Sequence, residues 1–192
     1  MNLDIETAAA IIGLALGLPM ALLYNRLVAS RNQARRGLAD IDAQLKRRAD
    51  LVPRLAETVR AYAAQEKGIL AAVAGLRSAA LSTPGALERF CHEIDLGAEL
   101  RKLVALREAY PPLKADANFR DLSAQLAEIE GQLEFARRFY NGAVMQYVTR
   151  LESFPDVIVA KLFGFKPMPF FESDARGAAR TEIRDRPRFS DK

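Results

Sequence analysis

The chain has no tryptophan, one cysteine and one histidine among its 192 residues. A lone Cys91 excludes an intramolecular disulfide and any zinc site built from several thiolates. A lone His92 excludes the di-iron sites that helical bundles often house, which need two Glu-x-x-His pairs. Cys91 and His92 are adjacent, and neighbours on a helix point about 100° apart, so they do not read as a nucleophile with its base. Also missing are a G-x-S-x-G elbow, a phosphate-cradling GxxxxGK[ST] loop and a Rossmann glycine pattern. The expectation is a non-catalytic protein with no cofactor and no metal. The formal charge is only +4, with acids interspersed among the bases. No basic arm interleaved with aromatics stands out, so nucleic acid is not an expected partner.

What is present favours helix. Half of the residues are apolar, and Ala and Leu lead a mixture with Glu, Arg and Gln that suits helix over sheet. One long uncharged run stands near the start, TAAAIIGLALGLPMALL from Thr7 to Leu23. With Ile5 it reaches about the 18 to 20 residues that span a hydrocarbon core. It is apolar on every face, which disfavours a buried core helix, and it lacks the basic start and small-residue cleavage site of a removable signal. Residues 1–24 are therefore read as a transmembrane anchor. No Lys or Arg precedes the run, whereas Arg26, Arg31, Arg35 and Arg36 follow it. The positive-inside rule then places the N-terminus outside and the remainder in the cytoplasm of a bacterial cell, anchored in the inner membrane. Gly13 and Gly17 form a GxxxG, a spacing that offers a homodimer through the anchor; Pro19 is tolerable in a membrane helix.

Beyond the anchor, apolar residues recur at helical spacing: Leu27, Ala34, Leu38, Ile41, Leu45, then Val52, Leu55, Val59, Tyr62, Ile69, Val73 and Leu76. Pro53 and the capping residue Asp50 mark a hairpin turn near residue 51. The phase runs almost unbroken through the proline, so one kinked helix is the competing reading. Ser82 to Gly85 interrupts again, and a third, less regular helix runs to Pro111-Pro112. The fourth has the strongest pattern, from Phe119 through Leu126, Leu133 and Tyr140 to Tyr147. Four long helices with short connections define an all-α, antiparallel up-and-down four-helix bundle over residues 25–155.

Two stretches are less regular. The spacing puts Arg31 and Arg48 on the seam of the first helix and Glu66 on that of the second; a hairpin at 51 would set Arg31 and Glu66 at similar heights, as a buried polar pair fixing register. Residues 156–171, entered through Phe154, carry Phe163, Phe165, Lys166, Phe170 and Phe171. They either close the end of the bundle core, the favoured reading, or lie at the lipid boundary with Phe inserted and Lys in water. Up-and-down connectivity returns this segment to the membrane-proximal end. The polar tail, 172–192, is expected to be disordered.

The motifs YNRLVASRN (24–32), IDAQLKRRADLVPRLAETVRAYAAQE (41–66), EAYPPLKADANFRDLSAQLAEIEGQLEFARRFYNGAVMQYVTRLESFP (108–155) and VAKLFGFKPMPFFE (159–172) resemble the LemA family. The resemblance implies a bacterial single-span membrane protein with a bromodomain-like four-helix arrangement and no established enzymatic activity. The chain departs from the family pattern at Leu38, where tryptophan is usual, and at Tyr147-Val148, which replaces a second Tyr-Asn. The function expected from these readings is a membrane-anchored scaffold that recruits a protein partner or organises the membrane. The alternative is a lipid-binding or membrane-shaping role for residues 154–171.

Overall fold

The structure is a computed structural model that describes residues 5–83 and 86–171, with the side chains of 14, 15, 17–83 and 89–171. Its elements are helical: α1 (Ile5–Tyr62), α2 (Lys67–Ser82), α3 (Ala86–Ala105) with a 3-10 turn (Leu106–Glu108), α4 (Pro111–Ala115), α5 (Ala117–Glu152) and α6 (Asp156–Leu162). The all-α class read from composition is what the backbone shows. The anchor and the tail are another matter. Residues 1–4, the side chains of 5–13 and 16, and residues 172–192 lie outside the described residues, Gly13 among them. Among the described residues no helix is long and apolar enough to cross a membrane.

The hairpin expected near residue 51 is absent, because α1 passes through Pro53 and ends at Tyr62. A proline inside a helix removes the N–H that would bond the carbonyl four residues back, at a cost of about 3 kcal/mol or more. Here that carbonyl belongs to Ala49, and Arg77 of α2 supplies the missing donor: its Nε bonds Ala49 O at 2.7 Å. Pro53 itself faces outward, whereas Leu51, Val52, Leu55 and Val59 around it are buried. Burying each such side chain contributes about 1.5–3 kcal/mol, which outweighs the proline. The reversal comes instead at Ala63–Glu66. Gln65 donates to the Tyr110 hydroxyl at 2.9 Å, and that hydroxyl donates to Glu66 at 2.8 Å.

The chain divides into two compact units. Residues 42–134 form one of them. In it the later part of α1, then α2, α3 and the early part of α5 share one apolar core, with Leu55, Val73, Leu100, Leu113, Phe119 and Leu126 buried. Pro111 and Pro112 open α4, where a missing N–H costs nothing. Asp116 caps α5 by accepting the Phe119 N–H at 2.7 Å.

Residues 135–171, with the chain up to residue 41, form the other unit. Here α1 and α5 run antiparallel and nearly touch: a Cβ added to Gly37 would meet Tyr140 Cα at 3.1 Å. The chain then turns into α6, whose Val159 and Ala160 pack on Leu27, with Leu23, Leu151 and Phe165 around them. α6 closes in a Schellman turn, with Phe165 N–H on Ala160 O (2.9 Å) and Gly164 at φ +68°. Only glycine adopts that conformation without strain.

Candidate functional site

Two polar constellations emerge, one in each unit. In the 42–134 unit, Arg48 is 1% exposed, a charge inside a helical core. Its guanidinium gathers three helices: it donates to the carbonyl of Glu93 at 2.7 Å and to that residue's carboxylate on α3, and to Glu130 Oε1 on α5 at 2.8 Å. Gly97 makes the room, since a Cβ there would lie 3.1 Å from the Arg48 terminal nitrogen. A desolvated charge this well paired fixes which helix faces which. Helical spacing places Arg48 on the seam, but its partners escape that reading. Glu93 and Gly97, four apart in the row that carries Phe90 and Leu100, are a signal for the α3 partner alone, with Ile94 fitting the stripe equally well.

The premise for pairing Arg31 with Glu66 was the hairpin at 51, which α1 does not make. Glu66 precedes α2 and accepts from Tyr110. Arg31 lines a pocket instead.

That pocket belongs to the other unit and is built from two sequence-distant pieces. On α1, Tyr24, Arg31, Asn32 and Arg35 share one face. Across from them the Schellman turn of α6 sends Phe163 outward and Phe165 inward. Tyr24 meets both rings edge-on, with centroids 4.9 and 5.6 Å away. The volume between is about 270 Å³, and no lining residue is acidic. Arg31 and Arg35 also lie near the Tyr147 hydroxyl, whose pKa is raised by burial while the two cations pull it down.

Of the aromatic residues in 154–171, the structure separates two groups. Phe165 and Phe171 are half-buried, whereas Phe154 (81% exposed), Phe163 and Phe170 face outward, with Lys166. Core closure and exposure thus hold for different side chains of the same segment. The stretch after α6 is strapped to α5 by side chains: Tyr147 hydroxyl to Lys166 O at 3.0 Å, Tyr140 hydroxyl to Pro169 O at 2.7 Å, and Asn141 to both backbone groups of Phe171 at 2.7 Å. Tyr147 makes its bond although Val148 stands where asparagine is usual. Arg26, Arg35 and Arg36 are exposed along α1; Gly17 has open space around it, and Leu38 is half-buried. Cys91 is exposed and His92 half-buried. Among the described residues no three His, Cys, Asp or Glu side chains gather in a metal-holding group.

These features define an all-α protein with a buried charge clamp in one unit and, in the other, a segment after α6 strapped by tyrosine and asparagine side chains. The sequence model of the LemA family matches residues 37–184, most of the chain. The protein belongs to the LemA family. No curated protein matches it.

Proposed function

We propose that the protein is a non-catalytic scaffold anchored in the bacterial inner membrane by residues 1–24, with its N-terminus outside and its helical units in the cytoplasm. The observation that carries this reading is the passage of α1 from apolar to basic. Leu14, Leu18 and Leu22 are all exposed, 72% for Leu14, in a stretch without charge. Exposed apolar side chains in such a row call for an apolar surrounding. Immediately afterwards, residues 24–41 and 135–171 carry nine Lys and Arg against three Asp and Glu. A surplus of six positive charges beside an apolar helix suits the anionic cytoplasmic leaflet. The test is fractionation of cells expressing the full chain: it stays with membranes after alkaline carbonate, and a C-terminal tag is digested only when protease reaches the cytoplasmic side. Release by carbonate, or digestion in intact spheroplasts, refutes the reading.

A second reading, contact of residues 154–171 with the same membrane, rests on the outward row Phe154, Ile158, Leu162 and Phe163. Exposed apolar residues of this kind enter the headgroup boundary. In nanodiscs, amides around Ile158 and Leu162 then exchange with deuterium more slowly than in detergent-free amphipol; equal rates refute it. Recruitment of a protein partner completes the scaffold reading. The long polar groove of the 42–134 unit, between Arg54, Glu57, Tyr62, Asp116 and Asp121, offers about 520 Å³ for side chains of such a partner.

A further inference from the structure

The pocket between α1 and the Phe163–Phe165 turn has the chemistry of an oxyanion receptor. Arg31 and Arg35 stand four residues apart, hence side by side on one helical face. Like charges so placed repel, and among the described residues neither is neutralised by an ion pair, although such pairs form elsewhere, Arg48 with Glu93 and Lys102 with Glu99 among them. Arg31 is half-buried, so its charge is partly stripped of water. Asn32 adds a neutral donor beside them. Tyr24, Phe163 and Phe165 wall the opposite side, their T-shaped contacts fixing the rings around the opening. The backbone that holds Phe163 and Phe165 is itself fixed, by Gly164 at φ +68° and by the Tyr147–Lys166 bond.

We propose that this pocket binds a phosphate group, held between the guanidinium groups of Arg31 and Arg35. Two guanidinium forks match phosphate oxygens two by two, which a carboxylate or chloride uses less fully. The aromatic wall would cover the glycerol side of a phospholipid headgroup; a free phosphate would fill only the cationic side. The site deepens the membrane reading but does not require it, because phosphate recognition in detergent is independent of which way the anchor faces.

The test uses the full chain purified in maltoside detergent, titrated calorimetrically with inorganic phosphate, dioctanoyl phosphatidic acid and dioctanoylglycerol. Phosphatidic acid binds at one site, and dioctanoylglycerol, lacking the phosphate, does not compete. Losing charged hydrogen bonds weakens binding by about tenfold or more. R31Q/R35Q therefore binds phosphatidic acid at least about tenfold more weakly, R31K/R35K falls between, and R36Q, on the same helix but outside the pocket, binds as the unaltered chain. Phosphatidic acid binding well above inorganic phosphate identifies a lipid headgroup as the occupant; equal affinities identify free phosphate. Equal binding by R31Q/R35Q and the unaltered chain, an equal loss in R36Q, or no binding of either phosphate compound overturns the proposal. R35Q alone, whose side chain is exposed, replaces the double variant if helicity by circular dichroism falls.

Discussion

Arg48 shows what one buried charge does to a helical core. With Glu93 and Glu130 in place both terminal nitrogens donate, whereas Nε meets no acceptor among the described residues. Removing the arginine strands Glu93, itself buried, without its counter-charge. R48M should lower the unfolding free energy by about 3–5 kcal/mol, whereas R48M/E93L should recover much of that loss, because a buried pair replaced by apolar residues is often neutral. Urea denaturation of both variants checks the ordering. The arginine was legible, lying on the apolar seam by spacing alone; Glu93 was not, since Ile94 beside it fits a helical stripe equally well. Asp116 works at the surface and through a proton. The Phe119 N–H first, then the Tyr62 hydroxyl, stabilise its carboxylate, and its pKa is lowered. The unfolded chain then binds that proton at a higher pH than the folded one. Asp116 therefore contributes fully above the ordinary carboxylate range, about pH 4, and the contribution fades as pH falls through the lowered folded value. D116N, which retains a capping side chain, should be less stable than the unaltered chain at pH 6 and converge with it near the acid end of a urea series.

At the scale of elements, the informative error concerns Pro53 and the turn at Ala63–Glu66. A proline three residues after a capping residue is a strong local sign of a helix boundary, and Ala-Ala-Gln-Glu-Lys is a run of helix formers. The chain does the reverse in both places because distant groups decide. Arg77, 28 residues beyond Ala49, supplies the donor that Pro53 removes, and Tyr110, 44 residues beyond Glu66, ties the real turn. No window along the sequence contains either partner, although the unbroken apolar phase through residues 52–59 had left the continuous helix open. A double-mutant cycle isolates the compensation. R77L leaves the Ala49 carbonyl without its partner, costing about 1–3 kcal/mol. In a P53A background the restored N–H bonds that carbonyl, and R77L should then cost markedly less. Equal costs in the two backgrounds would assign Arg77 to packing alone. The segment after α6 was legible in composition but not in its division. Which phenylalanines turn inward depends on Gly164 and on Tyr140, Asn141 and Tyr147 of α5, whose bonds go to backbone carbonyls and an N–H rather than to anything a side-chain pattern records.

For the whole molecule, charge distribution carries more than net charge. An overall +4 is unremarkable, yet residues 24–41 and 135–171 alone carry a surplus of six, while residues 42–134 are nearly balanced. If that placement orients the protein, orientation should follow the arginines and not the fold. N2K/D4K combined with R26Q, R31Q, R35Q and R36Q moves the positive charge from one side of the apolar run to the other without touching the 42–134 core. A C-terminal alkaline phosphatase fusion, active only outside the cytoplasm, should be silent on the unaltered chain and gain activity in the altered one. The two arginines of the phosphate pocket are among those moved, so R26Q/R36Q with N2K/D4K separates the effects. It weakens the inside bias while leaving Arg31 and Arg35 to their pocket, and a mixed orientation with unchanged phosphatidic acid binding is the expected result. Activity outside from the unaltered chain would place both helical units on the opposite face of the membrane.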